Sequence, residues 1–292
     1  MTEFTVVAPG GAQQLSEAPV WCAQTRRLWW VDVVRARLNS LDPSSGAFEA
    51  FDLPGKAAGC CVLRAAGGLA VALDDALHAF EPGAGSLTHL VAPENGQPLN
   101  RLNDGKADRR GRLWIGTMNT QAFEPDGGLY RIAPDLSVEK QFGDVIIPNS
   151  IAFSPDDRTF YFSDTRRFTI WAFDFDLAEG RIANRRVFAD TSGHPGRPDG
   201  STVDAEGFLW NAEIMGGRLV RYAPDGRIDR VVAVPVPRPT SCAFGGEGLE
   251  TLYVTSMSTG LSDAELAGAP GSGGLIAFQP GVRGLPEPAF AG

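Results

Sequence analysis

The sequence has few of the residues that mark several common protein classes. It contains four cysteines and three histidines in 292 residues, and no apolar run approaches the roughly 18 residues of a membrane-spanning helix. Cys22, Cys60, Cys61 and Cys242 match neither a zinc-binding spacing nor a disulfide framework. We therefore expect free thiols, a cytoplasmic location and no membrane partner.

Basic clusters are missing as well. No group of Lys and Arg is larger than a pair and the formal net charge is −9, so a nucleic-acid partner is not expected. Met1–Gly11 contains Glu3 and lacks the basic start and apolar core of a secretory signal. Hydrophobic residues make up 43% of the chain, which is ample for a buried core.

One strand-like segment recurs six times along the chain. Each copy follows a turn rich in Gly, Asp or Pro, and the copies start roughly 41 to 49 residues apart, a spacing typical of propeller blades. The copies are Leu28–Asp32, Leu69–Leu73, Leu113–Thr117, Phe160–Asp164, Leu209–Glu213 and Leu252–Ser256. Further strand-like segments precede and follow most copies, and helical periodicity is almost absent.

The repeat predicts an all-β fold, a six-bladed β-propeller with three to four antiparallel strands in each blade. No linker interrupts the repeats, so residues 1–292 are expected to form a single closed domain. The N-terminal run Phe4–Val7 has no partner of its own. We expect it to close the ring by pairing in the last blade, near Leu275–Phe278 or the strand that follows, because this removes two open edges.

The segment Asn100–Met118 joins one copy of the repeat to a polar run that occurs only once. Its second half is the strand Arg112–Thr117. Its first half carries Asn100, Arg101, Asn103, Asp104, Lys106 and Asp108. The polar run predicts a loop that presents charged and amide groups from a stiff scaffold. The repeats would then provide the fold and the unrepeated polar residues the chemistry.

Polar residues occupy equivalent places a few residues before the repeated strand. Glu17, Asn149 and Asp199 do so in the first, fourth and fifth units, and Arg101 and Asn103 in the third. In a closed ring such places converge on the axis. Two carboxylates and an amide carbonyl are hard oxygen donors, which suit Ca²⁺, Mg²⁺ or Mn²⁺ and can also take Zn²⁺ or Fe²⁺. We expect one divalent cation of undetermined identity.

Five segments together resemble the gluconolactonase family, which also contains regucalcin (senescence marker protein) and luciferin-regenerating enzyme. They read LSEAPVW, NRLNDGKADRRGRLWIGTM, PNSIAFSPD followed by FYFSDT, RPDGSTVDAEGFLW, and TSCAFGGEGLETLYVTS. The resemblance implies that Glu17, Asn149 and Asp199 hold one divalent metal at the top of the channel and that Asp199 is the base. It also implies that Arg101 and Asn103 contact the oxygens of a lactone.

The chain departs from the family pattern at two loops. Many relatives carry Trp-Gly-Gly after the fifth repeated strand, where this chain has Ile214–Gly217, so Met215 is expected to change the pocket wall. Relatives place another substrate contact in the segment Asn119–Asp126; Gln121 and Glu124 are the candidates, and we predict Gln121 for that role. Glu213 either lines the channel or faces a neighbouring blade.

Three functions remain open at this point. The first is metal-dependent hydrolysis of a sugar lactone to the sugar acid by a monomer or weak homodimer, with no serine nucleophile, since no G-x-S-x-G motif occurs. The second is a different esterase, acting on aryl esters or organophosphates. The third is a non-catalytic propeller that binds calcium. Arg101 and Asn103 favour an enzyme, because a structural metal site has no use for them.

Overall fold

The protein is an all-β six-bladed propeller in the computed structural model, which describes residues 2–8, 14–94 and 96–292. Six four-stranded antiparallel sheets form the blades. The first strands of neighbouring blades contact one another all around the ring, so these strands surround the central axis. None of the helices in the described part of the chain has the length and hydrophobicity needed to cross a bilayer.

The strands follow one another along the chain blade by blade. The first is β1 (Thr5–Ala8). Blade 1 consists of β2 (Ser16–Cys22), β3 (Arg27–Asp32), β4 (Arg37–Leu41) and β5 (Phe48–Asp52). Blade 2 consists of β6 (Ala58–Leu63), β7 (Leu69–Leu73), β8 (Ala76–Glu81) and β9 (Ser86–Val91). Blade 3 consists of β10 (Asn100–Ala107), β11 (Leu113–Asn119), β12 (Gly127–Ile132) and β13 (Val138–Val145).

The second half of the chain repeats the pattern. Blade 4 consists of β14 (Pro148–Phe153), β15 (Thr159–Asp164), β16 (Thr169–Asp176) and β17 (Arg181–Asp190). Blade 5 consists of β18 (Arg197–Val203), β19 (Leu209–Ile214), β20 (Arg218–Tyr222) and β21 (Ile228–Ala233). Blade 6 consists of β22 (Pro239–Gly245), β23 (Thr251–Ser256), β24 (Leu275–Phe278) and β1. Helix α1 (Asp263–Gly268) and two 3-10 turns, Thr165–Arg167 and Glu247–Leu249, lie between strands.

The N-terminal strand closes the ring, as predicted. Strand β1 pairs antiparallel with β24, placing Thr5 opposite Ala277 and Val6 opposite Ile276. Blade 6 is therefore built from both ends of the chain, and the edge that β24 would otherwise expose is paired.

The hydrophobic core is divided into six clusters, and each cluster lies between two adjacent blades. The cluster between blades 3 and 4 shows the packing. Trp114 is fully buried, and the centroid of its ring lies 5.1 Å from the ring centroid of Phe160 and 5.7 Å from that of Phe175. Because aromatic and aliphatic side chains fill every interface between blades, the polar side chains of the first strands are left to the axis.

The polar run at the start of Asn100–Met118 is strand β10, so the predicted loop is wrong. Asn100, Leu102 and Ala107 are buried, whereas Arg101 and Asn103 are only partly covered. The physical reason is the position of the strand in the ring. A first strand hydrogen-bonds to a partner along one edge, here β11, and its other side faces the channel, where polar side chains are tolerated.

Buried carboxylates organise the turns between the first two strands of blades 3 and 5. Asp204 accepts hydrogen bonds from the indole Nε1 of Trp210 (2.9 Å) and from Nε of Arg221 (2.9 Å). Asp108 accepts the equivalent bond from Nε1 of Trp114 (2.9 Å). Both carboxylates also accept backbone N–H groups of their own turns. Each carboxylate therefore fixes a turn to the aromatic core of its blade.

We expect Asp204→Ala to lower the free energy of unfolding by about 3 kcal/mol. It leaves the Trp210 indole N–H without its acceptor and removes the fully buried partner of the Arg221 guanidinium, which keeps only the more exposed Glu206 and Asp229. Chemical denaturation monitored by tryptophan fluorescence measures the effect. Asp225→Ala is the matched control: Asp225 also accepts hydrogen bonds from a turn, but it is exposed. Equal losses in the two variants would contradict the role given to Asp204.

Candidate active site

The candidate residues share one register in the ring. Each first strand shifts its pairing register with the second strand near its beginning. In every blade, one residue of the second strand, at the second position of the repeated segment, pairs with a residue of the first strand. The candidate position lies three residues before that first-strand residue. The six positions are Glu17, Gly59, Asn103, Asn149, Asp199 and Thr240. The predicted metal ligands and Asn103 therefore lie at the same level of the channel.

Hydrogen bonds join the third and fourth blades at this level. Arg101 donates from Nη1 to Oδ1 of Asn103 (2.7 Å) and to the carbonyl oxygen of Leu102 (2.9 Å). Asn103 donates from Nδ2 to the carbonyl oxygen of Pro148 (2.9 Å) and, at 3.4 Å, to Oδ1 of Asn149. Arg101, Asn103 and Asn149 thus form one connected group.

Thr165 fixes the orientation of the Asn149 amide. Nδ2 of Asn149 donates to Oγ1 of Thr165 (2.9 Å), and Oγ1 of Thr165 donates to the carbonyl oxygen of Pro198 (2.7 Å), the residue before Asp199. With its nitrogen engaged, the amide presents its oxygen on the other side. The sequence analysis did not identify Thr165, because a threonine that begins a short turn carries no pattern of its own.

The backbone of Asp199 is held by one side chain of the neighbouring blade 4 and one of its own blade 5. Ser150 Oγ donates to the carbonyl oxygen of Asp199 (2.5 Å), and Nδ2 of Asn211 donates to the same oxygen (3.1 Å). Ser150 itself adopts a left-handed conformation with φ of 57°. Asp199 is 3% exposed, and its Oδ1 is buried without a hydrogen-bond partner among the described residues. A buried carboxylate oxygen without a donor is costly unless something else satisfies it.

Like charges crowd the same region. Burial raises the pKa of Glu17 well above its usual range, and the carboxylates of Asp199 and Asp104 raise it further while Arg101 opposes the rise. Burial also raises the pKa of Asp199, with Asp104 again adding to the effect. Burial lowers the pKa of Arg101 to about 10, and Glu17 counteracts this. Glu17 therefore lies within electrostatic range of Asp199, Asp104 and Arg101, and Asp199 within range of Asp104.

The donor set fits a divalent cation. Glu17 and Asp199 offer carboxylate oxygens, and Asn149 offers an oriented amide oxygen. The Oδ1 of Asp199 is buried without a hydrogen-bond partner among the described residues, and a cation would satisfy it. The described residues contain no group of three or more His, Cys, Asp or Glu side chains that could hold a metal. Repulsion among the carboxylates favours the same occupant.

Two predicted features of the pocket wall lie on loops. Gln121 is exposed on the loop between β11 and β12, where its backbone N–H donates to Oδ1 of Asn119 (2.9 Å). Its side chain forms no hydrogen bond within the described part of the chain, and its role stays a prediction. Met215, in the turn between β19 and β20, is 56% exposed with φ of 67°.

Glu213 faces a neighbouring loop rather than the channel. It is fully buried and accepts a hydrogen bond from Nε of Arg218 (2.7 Å), and its Oε1 lies 2.5 Å from Nδ1 of His194. The carboxylate therefore ties the loop between blades 4 and 5 to β19 and β20. It anchors the segment that leads into β18, the strand that carries Asp199.

Comparison with known proteins gives a consistent result. The family model described as the SMP-30/Gluconolactonase/LRE-like region matches residues 15–258. A 6-deoxy-6-sulfogluconolactonase from Pseudomonas putida is 37% identical over 279 residues, which cover 95% of each chain. An L-arabinolactonase from Azospirillum brasilense is 39% identical over 282 residues, covering 95% of this chain and 92% of the relative.

A solved structure is similar over almost the whole length. The crystal structure of a calcium-binding protein, regucalcin from Agrobacterium tumefaciens, superposes with a TM-score of 0.90 at 33% sequence identity. The match covers 97% of this chain and 95% of that one. The likeness thus extends to all six blades.

The raised pKa values of Glu17 and Asp199 predict how stability depends on pH without divalent cations. The folded protein retains protons that the unfolded chain releases, so stability increases as the pH falls through the raised pKa values and is lowest above them. Asp199→Asn removes one charge. We expect it to raise the melting temperature of chelator-treated protein at mildly alkaline pH by about 2–4 °C, the shift that roughly 1 kcal/mol produces.

The control for this measurement is Asp225→Asn, which makes the same change at an exposed carboxylate. The gain from Asp199→Asn should shrink at acidic pH and disappear when calcium is added to the wild-type protein. A lower melting temperature for Asp199→Asn than for the wild type in chelator would contradict the proposed crowding of charges.

Proposed function

Because the chain belongs to the SMP-30/Gluconolactonase/LRE-like family, we propose that it hydrolyses a sugar lactone to the corresponding sugar acid. The names of two relatives, a sulfogluconolactonase and an arabinolactonase, support an aldono-lactone as the substrate class. The observation that carries the proposal is the buried, unpartnered Oδ1 of Asp199, in electrostatic range of Glu17 and level with Asn103 and Asn149 in the channel.

In this proposal Glu17, Asn149 and Asp199 hold one divalent cation, which is Ca²⁺, Zn²⁺, Mn²⁺, Mg²⁺ or Fe²⁺. When bound, such a cation polarises a lactone carbonyl and lowers the pKa of water. The hydrogen bond from Asn149 to Thr165 prepares the amide oxygen for this role. The calcium-binding regucalcin of similar structure supports the presence of a cation without identifying it.

The side chains around the cation site divide the rest of the reaction. Asp199 is the base: its carboxylate takes a proton from the attacking water. The water oxygen bonds to the carbonyl carbon, the ring C–O bond breaks, and the proton passes to the released ring oxygen. Arg101 stabilises the negative charge that develops on the carbonyl oxygen.

Asn103 has a positioning and a binding role in this scheme. Its Oδ1 accepts from Arg101 and its Nδ2 donates towards blade 4, so it holds the guanidinium at the level of the carboxylates. Lactone hydroxyl groups would compete for the same donors and acceptors. Gln121, on the exposed loop above, is proposed as a further contact to the sugar.

The free cysteines support the proposed cytoplasmic location. Cys22, Cys60, Cys61 and Cys242 are all unpaired in the structure. Unpaired thiols are usual in reducing compartments and uncommon in secreted proteins.

We expect Glu17→Gln and Asp199→Asn each to lower kcat/KM for aldono-lactones by at least about 1,000-fold, since each removes a charged ligand and the second also removes the base. A pH-indicator assay with gluconolactone, xylonolactone, arabinonolactone and galactonolactone measures the rates, and circular dichroism verifies the fold. Asp75→Asn is the matched control, because Asp75 is an exposed carboxylate at a turn of blade 2.

The same assay separates the alternatives. Treatment with a chelator should abolish hydrolysis by the wild-type protein, and adding back a divalent cation should restore it. Faster turnover of aryl esters or organophosphates than of any lactone would favour the second function. Cation binding without hydrolysis of any substrate in the panel would favour a calcium-binding propeller.

A further inference from the structure

The C-terminal segment 283–292, here called the strap, crosses the end of the channel opposite the candidate active site. Its first part joins blade 6, where Gly284 N–H donates to the carbonyl oxygen of Leu249 (2.8 Å). Its last part joins blade 2, where Phe290 N–H donates to the carbonyl oxygen of Leu63 (2.8 Å). Leu63 ends strand β6, whose Gly59 is level with the candidate ligands, so the strap lies at the far end of the first strands.

Packing fixes the strap in place. Phe290 is fully buried in the hydrophobic cluster between blades 2 and 3, and Arg64 donates from Nε to the carbonyl oxygen of Gly292 (3.1 Å). At the other end, a side chain at Gly284 would collide with Phe244, which shows how closely the backbone passes blade 6. Between these two anchors the strap spans the channel.

One side chain of the strap reaches into the channel. Oε1 of Glu287 lies 3.0 Å from Nζ of Lys106, and the two side chains are only 14% and 20% exposed. Glu287, Leu285 and Pro286 line a small cavity together with Lys106 and residues of blades 4 and 5. An ion pair this well covered is screened less by water than a pair on the surface.

Lys106 stands out from its equivalents in the ring. It lies three residues after Asn103, at the position that pairs with the repeated strand. The equivalent residues of the other five blades are Val20, Val62, Ala152, Thr202 and Ala243. Lys106 is thus the one charged side chain among six equivalent positions, all of them in the described part of the chain.

Asp104 connects this ion pair to the candidate cation site. Its Oδ2 accepts a hydrogen bond from the backbone N–H of Ile151 (3.0 Å). Burial raises the pKa of Asp104, the Ile151 N–H and Lys106 oppose the rise, and Glu287 adds to it. Asp104 in turn raises the pKa of both Glu17 and Asp199. Asp104 therefore lies within electrostatic range of the Lys106–Glu287 ion pair on one side and of Glu17 and Asp199 on the other.

We propose that Lys106 and Glu287 are positioning residues that set the electrostatic field at the cation site from the opposite end of the channel. The proposal rests on the ligand set of the proposed function. Lys106 repels a cation held by Glu17, Asn149 and Asp199, and Glu287 cancels that repulsion. The strap is then a working part of the site as well as a closure of the channel.

The experiment is a calorimetric titration of the chelator-stripped protein with Ca²⁺ alone, for the wild type and three variants. Glu287→Gln leaves the charge of Lys106 uncompensated. We expect the Kd for Ca²⁺ to rise roughly threefold to tenfold, a moderate effect for one positive charge acting on a bound cation through the protein. Lys106→Met leaves Glu287 uncompensated, and the Kd should fall by a similar factor. The double variant should return close to the wild-type Kd.

Opposite shifts distinguish the field from a purely structural role, because loss of packing would weaken binding in all three variants. Glu81→Gln is the matched control: it breaks the partly exposed pair of Glu81 with Arg64, which also bonds the strap, outside the channel. Shifts of the same sign in the two single variants, or no Ca²⁺ binding by the wild type, would overturn the proposal. Lactone turnover by the wild type, measured separately, tests the proposed function.

Discussion

Closure of the ring is the constraint on which the site depends. Within the described residues, the blades pack pairwise through six separate hydrophobic clusters, each of which lies between two blades and away from the axis. Each first strand must then present one side to the central channel. Polar side chains on that side avoid the free-energy cost of burial in an apolar interface. Glu17, Asn103, Asn149 and Asp199 come from four blades and meet at one level because strand pairing gives all blades the same register.

The site concentrates what a stable protein usually avoids. Three carboxylates and one guanidinium share a poorly solvated region, and the unpartnered Oδ1 of Asp199 has no hydrogen-bond donor within the described residues. Around this centre, Thr165, Ser150 and Asn211 use neutral hydrogen bonds to hold the backbone and the Asn149 amide. The repulsion among the carboxylates is tolerated because these hydrogen bonds hold the surrounding groups in place and the interfaces between blades are apolar.

The repeated segments of the sequence predicted the fold. Features that follow no repeat, such as the conformation of β10 and the contact between Glu287 and Lys106, were not predicted. The six repeated strands and their turns determine the blade count, and the unpaired run Phe4–Val7 indicated how the ring closes. The polar side chains of β10 were assigned to a loop, because composition does not tell a channel-facing strand from an exposed turn. The contact of Glu287 with Lys106 spans 181 positions and follows no period, so only the fold brings the two together. Gln121 remains a prediction because a loop without repeats gives no register.

The pairing of β1 with β24 also bears on how the molecule is made. Strand β1 precedes blade 1 in the chain and hydrogen-bonds to β24, so during synthesis it has an open edge until blades 1 to 5 have followed. Contacts of such sequence separation slow folding, and an unpaired apolar strand invites association with other chains meanwhile. Residues of blades 1, 3, 4 and 5 can hold their common level only once this last seam is made. Pairing of β1 with β24 therefore completes the ring and covers the exposed strand edges in the same step.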